Sequence, residues 1–199
     1  MRNQKLQDLL QTIQALHGLM ESKLQMARFF ATAEEEIRVH MVSVPVSRVK
    51  GVLRDISVDA ENLARSRRII FRLADNAVPE TCFVNIDLGL LGVAIRLVVD
   101  NAVKYSHKQS HVTVRLDHHL GDVDILFVNR GLPLTTQDLE QVFQRGWRAK
   151  AAKMTTEGHG YGLWITRRIM EAMGGSVDVA PTDSSQHTQV RLTLPAVRA

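Results

Sequence analysis

Residues 157–175 read EGHGYGLWITRRIMEAMGG: Gly158, Gly160 and Gly162 at every second position, then an apolar stretch with helical spacing that closes on a glycine pair. Glycines so spaced let backbone N–H groups come close to a guest, and the helix behind them offers unpaired donors and a partial positive charge at its N-terminus. Phosphate is the guest this arrangement serves best. A flexible turn that merely caps the helix is the other reading open to the loop taken alone. It is not a Walker loop, because no Gly-Lys-Ser/Thr follows, and a dinucleotide fingerprint needs a strand directly before it. The preceding stretch RGWRAKAAKMTTEG (145–158) is polar and basic. A basic lid over a polyphosphate is the expectation.

Composition sets the frame for that loop. The chain has 199 residues, 45% of them hydrophobic, enough for one globular domain and an extra element of roughly 40 to 50 residues. Lys and Arg number 25 against 21 Asp and Glu, a net charge of +4. That scattered surplus suits an anionic ligand and argues against nucleic acid as partner. The single cysteine, Cys82, excludes an internal disulfide and a cysteine-built zinc cluster, and it fits a reducing compartment. No stretch approaches the roughly 18 uninterrupted apolar residues of a membrane span, and the opening MRNQKLQDLL lacks the apolar centre of a signal peptide. The expectation is a cytoplasmic chain without a membrane segment, or the cytoplasmic part of a longer one.

Leu6, Leu9, Ile13, Leu16, Met20, Ala27 and Phe30 recur at threes and fours, a helical seam of coiled-coil type. Lys23 interrupts it, and Gly18 weakens the helix interior. Residues 1–41 are therefore read as a long helical segment that packs on another helix or on a second copy of itself, and residues 42–199 as one domain. Within the domain Pro45 and Ser47 open a helix with Val49, Val52, Leu53, Ile56 and Leu63 on one face, and IIFRL (69–73) is a strand. After a loop around Pro79, Leu88 to Tyr105 has helical length and is apolar on most sides, as a buried helix with a polar end would be. HVTVRL (111–116) and VDILFVN (123–129) form a hairpin, and TTQDLEQVF (135–143) a short helix capped by Thr135 with Asp138 three residues on. A helix from Leu163 to Met173 and two strands, SVDVA (176–180) and TQVRLTLP (188–195), complete the chain. The expected fold class is α+β, a two-layer α/β sandwich with helices on one sheet face.

In LVVDNAVKYS (97–106), Asn101 stands near the end of the apolar helix, with Lys104 and Tyr105 three and four residues on and so on its side. A neutral amide oxygen suits Mg²⁺, which draws further oxygens from waters and phosphates. Lys104 could then meet a phosphate as a point charge and Tyr105 pack beside the ligand. An ordinary polar helix end is the alternative.

LVVDNAVKYS, VNRGLPL (128–134), VFQRGWR (142–148) and GHGYGLWITRRIMEAMGGSV (158–177), in that order and spacing, resemble the N, G1, F and G2 boxes of the ATP-binding domain of sensor histidine kinases. Those domains share the Bergerat fold with gyrase-type ATPases, so the resemblance implies a mixed sheet. It covers residues from about 42 to 197 and implies a protein histidine kinase core that moves the γ-phosphoryl group of Mg-ATP to a histidine in two-component signalling. A response regulator protein and a homodimer through residues 1–41 are implied partners, LMESKLQMARFFATAEEEI (19–37) being similar to the second helix of a dimerisation hairpin. By the same resemblance Asn101 is the Mg²⁺ ligand, Lys104 a phosphate contact and Tyr105 a pocket wall. Asn129 and Gly131 lie at the adenine end, and Gly158, His159, Gly160, Tyr161, Gly162 and Leu163 form the phosphate-facing loop. Phe143 and Arg148 anchor a lid of residues 144–157. No catalytic side chain is assigned to the chain itself.

Three departures stand out. Asn129 occupies the place of an aspartate and Pro133 that of a second glycine; an amide accepts a hydrogen bond from adenine without the charge. Leu97, four residues before Asn101, cannot activate water, which disfavours a gyrase-like motor. No phosphoacceptor motif is present, since His17 is followed by GLM and His40 by MVS. These departures keep a second reading open, a degenerate nucleotide-binding or dimeric interaction module without phosphotransfer. His118 and His119 are read as solvated turn residues, and Trp147 and Trp164 as packing residues.

Overall fold

The computed structural model describes residues 37–65, 68–74, 78–79, 81–119, 121–156, 158–195 and 197. The seam from Leu6 to Phe30, and with it the dimerisation reading, lies outside the described residues. Residues 37–199 form one compact unit, and residues 37–41 are neither helix nor strand, so the helix expected to reach residue 41 does not run through them.

Twelve elements follow among the described residues: β1 (Val42–Pro45), α1 (Val46–Arg65), β2 (Ile70–Ala74), β3 (Phe83–Ile86), α2 (Leu88–Tyr105), β4 (His111–His119), β5 (Asp122–Arg130), α3 (Thr136–Leu139), α4 (Lys150–Thr155), α5 (Gly162–Ala172), β6 (Ser176–Ala180) and β7 (His187–Pro195). The five-stranded sheet runs β2-β4-β5-β7-β6, with β2 parallel to β4 and every other pair antiparallel. It is the mixed sheet that the resemblance implied. Alternate residues of the central strands, Val112, Val114 and Leu116, then Val123, Ile125 and Phe127, then Leu192 and Leu194, are buried on one face, as a period of two requires when helices cover one side. The helices answer at their own period. Val49, Leu53, Ile56 and Ala60 of α1, Leu91, Ile95 and Val98 of α2, and Ile165 and Ile169 of α5 are buried.

Local chemistry sets the helix that matters most. Asp87 caps α2 by accepting the N–H of Leu90 at 3.0 Å, and its other oxygen accepts the N–H of His40. Ser106 closes the helix, its backbone N–H and its hydroxyl both donating to the carbonyl of Ala102, at 3.2 and 2.6 Å. Three sequence expectations are corrected. The helix expected over 135–143 keeps its capping box of Thr135 and Asp138 but ends at Leu139, beyond which Gln141 and Gln144 donate to carbonyls three residues back, the tighter geometry of a turn. The lid, for which the sequence reading named no helix, contains α4. The short strands β1 and β3, unforeseen, pair antiparallel from Val42 opposite Ile86 to Pro45 opposite Phe83.

Candidate functional site

The C-terminal end of α2 is locked to the segment after β5. His107 N–H donates to the Arg130 carbonyl at 3.0 Å, and Leu132 N–H to the Tyr105 carbonyl at 2.9 Å. A Cβ built on Gly131 would fall on the Tyr105 carbonyl, so only glycine lets the two segments meet. Asn101, Lys104 and Tyr105 thereby have fixed positions relative to the G1 turn.

The glycine loop closes against those same residues. A Cβ on Gly162 would stand 2.8 Å from Asn101 Nδ2, and one on Gly158 would fall on Lys104 Nζ. Missing side chains at two of the three glycines are thus what bring the Asn101 amide and the Lys104 ammonium onto the loop backbone. Gly158 (φ +142°) and Gly160 (φ +74°) also adopt backbone angles that other residues rarely reach. Tyr161 begins α5 without a side-chain cap, leaving the helix N-terminus without a carboxylate or hydroxyl of its own. Lys104 Nζ lies 5.0 Å from the Tyr105 ring centroid, a cation over an aromatic face.

The lid is moored at both ends. Gly146 N–H donates to the Gly160 carbonyl at 3.1 Å, and a Cβ on Gly160 would meet the carbonyls of Trp147 and Gly146. Arg148 gathers the middle, its Nη2 donating to the carbonyls of Ala152 and Thr156 and, at 3.1 Å, to the Thr156 hydroxyl. Phe143 lies under Arg167, 5.4 Å from its guanidinium carbon. His159 is exposed and stacks on Tyr161 at 6.3 Å, and Tyr161 meets Trp164 edge-on at 6.5 Å. The guanidinium carbons of Arg145 and Arg168 lie 5.4 and 5.3 Å from the Trp164 ring centroid. Trp164 packs, as read from sequence, yet against cations rather than in the core; His118 is exposed.

Asn129 is 7% exposed and stands opposite Thr188, itself 6% exposed, on β5 and β7. The Thr188 hydroxyl is 2.8 Å from that of Thr182, which accepts the Leu134 N–H at 2.7 Å. The sequence reading passed over both threonines. Thr188 was findable as a polar residue in phase with the inward Leu192 and Leu194. Arg130, one residue past Asn129, points to the other face of the strand. It lines a separate polar hollow of about 510 Å³ with Gln109, Ser110, His111, Ser185 and His187.

Asp100, the residue before Asn101 on α2, was also passed over. Burial raises its pKa to about 6, against the opposing charges of Arg96 and Lys104 one turn away on each side. An aspartate in the unfolded chain titrates near 3.9. The native state therefore holds this proton more tightly, and Asp100's contribution to stability is greatest below about pH 4 and is lost as pH rises through about 6. Asp100→Asn is expected to stabilise the fold at pH 7.5 by up to about 3 kcal/mol, from two pKa units at 1.36 each. At pH 5 the gap should shrink to about half, because only the interval from 3.9 to 5 then counts. Urea midpoints of both proteins at the two pH values measure it, and a gap that does not depend on pH refutes the burial argument.

A family model described as histidine kinase-, DNA gyrase B- and HSP90-like ATPase matches residues 86–198. The chain belongs to that family. Within it, the chain is similar to the sensor-like histidine kinase SenX3 of Mycobacterium bovis, 30% identical over an alignment of 172 positions, gaps included, that covers 77% of this chain and 40% of SenX3. The chain spans about two fifths or less of the length of the curated SenX3 relatives it matches. Among solved structures, full-length ShkA in complex with AMPPNP aligns with a TM-score of 0.70 at 22% identity, over 92% of this chain and 36% of ShkA. The histidine kinase ThkA, solved with the response regulator TrrA, aligns at 0.67 and 14% identity, over 90% of this chain and 48% of ThkA. At such identities these structures establish the shared ATPase fold, and the geometry above belongs to a histidine kinase ATPase-type domain.

Proposed function

We propose that this chain binds Mg-ATP between the end of α2 and the glycine loop, and that it serves as the ATP-binding core of a protein histidine kinase in two-component signalling. The observation that carries the reading is the meeting of Asn101 with Gly162 and of Lys104 with Gly158. An amide oxygen, an ammonium group and a run of backbone N–H groups converge there, a donor set that fits a magnesium polyphosphate. Asn101 would hold the Mg²⁺, Lys104 a phosphate oxygen, and the backbone from Gly158 to Leu163 the remaining phosphate charge. Tyr105 would flank the nucleotide, Asn129 and Gly131 its base, and the lid pinned by Arg148 would close over it. Phosphoryl transfer depends mainly on positioning and charge neutralisation, so such a domain needs no nucleophile of its own.

The nucleotide analogue in ShkA and the response regulator on ThkA support ATP and a response regulator as partners. A homodimer through residues 1–41 and a cytoplasmic setting complete the proposal. Among the described residues, no helix is long and apolar enough to cross a membrane.

The second reading, a nucleotide-binding or interaction module without transfer, is favoured by Leu97. It is 4% exposed, a packing residue one turn before Asn101. Calorimetric titration with ATP, with and without Mg²⁺, followed by labelling with γ-labelled ATP, separates the two. The kinase reading expects Mg-dependent binding and an acid-labile, base-stable label in the natural protein containing this chain. Binding without any such label supports the module, and no binding at all overturns both.

A further inference from the structure

The base end of the proposed site is built from two groups that can each reverse their hydrogen-bonding sense. We infer that the pocket accepts purine nucleoside triphosphates of both the 6-amino class, such as ATP, and the 6-oxo class, such as ITP and GTP. This inference rests on the nucleotide reading above. Asn129 and Thr188 face each other across β5 and β7, both buried and both on the helix-covered side of the sheet. The edge of adenine presents an amino donor and, beside it, a ring-nitrogen acceptor. In a 6-oxo purine the same two places hold a carbonyl acceptor and an N–H donor, the inverse pattern.

Asn129 matches either pattern at its first place. A half-turn of its amide exchanges Oδ1 for Nδ2, an acceptor for a donor, with almost no change of shape. The hydroxyl pair matches either pattern at its second place. Thr182 Oγ1 accepts the Leu134 N–H at 2.7 Å and lies 2.8 Å from Thr188 Oγ1, where either hydroxyl can be the donor. When Thr182 donates to Thr188, the Thr188 proton is left to donate to an adenine ring nitrogen. When Thr188 donates to Thr182, a Thr188 lone pair is left to accept from the N–H of a 6-oxo purine. The Leu134 N–H fills one of the two lone pairs on Thr182 and leaves the other free to accept from Thr188, and in that second arrangement the proton of Thr182, which is only partly buried, turns to solvent. A carboxylate at position 129 accepts only, and it would set its charge against a purine carbonyl.

The experiment titrates the protein with Mg-ATP and Mg-ITP, ITP carrying the inverted edge without the additional 2-amino group of GTP. The parent is expected to bind the two within tenfold of each other. Asn129→Asp, with its fold checked by circular dichroism, is expected to bind ATP about tenfold more tightly and ITP at least tenfold more weakly. Discrimination would then change by about a hundredfold. ITP binding more than tenfold weaker than ATP in the parent overturns the inference while the nucleotide reading stands. An unchanged ATP-to-ITP ratio in the variant overturns Asn129 as the discriminating residue, and no binding of either nucleotide removes the reading beneath both.

Discussion

Asn101→Ala is expected to abolish the magnesium dependence of ATP binding, with a loss of affinity of about a hundredfold or more. Even outer-sphere partners of a metal ligand change affinity by about 10- to 100-fold when removed, and a direct ligand should cost no less. The fold should survive. Asn101 lies on the last turn of α2, its side chain only partly buried against Gly162, and alanine is the better helix former. A stability change within about 0.5 kcal/mol, or roughly 2 °C in Tm, is expected. Calorimetric titrations of parent and variant with Mg²⁺ and with EDTA check it. If the variant keeps its Mg²⁺-dependent gain in affinity, Asn101 is not the ligand.

Gly131→Ala tests the junction that holds the site together. Its Cβ would fall on the Tyr105 carbonyl and 2.9 Å from the Ser106 Cα, backbone that cannot yield as a flexible side chain does. Overpacking against rigid neighbours costs about 1 to 3 kcal/mol and occasionally more, and this contact belongs at the upper end. The melting temperature should fall by about 6 to 12 °C. Gly51→Ala, in α1 with nothing within 4 Å of the added atom, should instead raise stability by a few tenths to about 1 kcal/mol. A Gly131→Ala protein as stable as the parent would mean that α2 and the β5 end part at little cost.

What could be read from sequence follows from how local each signal is. The bounds of α2, Leu88 to Tyr105, agree with the expectation because Asp87 supplies the N-cap and Ser106 the stop from within the same stretch. The β4–β5 hairpin and the Thr135–Asp138 capping box are likewise written in adjacent residues. β1 and β3 were not legible, since each is four residues long and its partner lies about forty residues away. The helix in the lid lacks a side-chain cap, and its alanines, Ala151 and Ala152, were the signal available for it. For the site, the glycines and Asn101 could be named from spacing, whereas the contact of Lys104 with Gly158 needed the fold. The Thr182–Thr188 pair was hidden for the same reason, each threonine reading alone as an ordinary strand or loop residue.

The mooring of Gly146 to Gly160 separates the lid from the rest of the chain in a quantitative sense. Because the loop's two ends already meet, lengthening the segment between them changes only its closure entropy, about 0.6 kcal/mol for each doubling of length. The lid's length and composition can therefore drift far while α5 and the sheet stay as they are. Within a family that shares this fold, residues 149–156, between the Arg148 anchor and the glycine loop, are where one member can part from another without renegotiating its architecture.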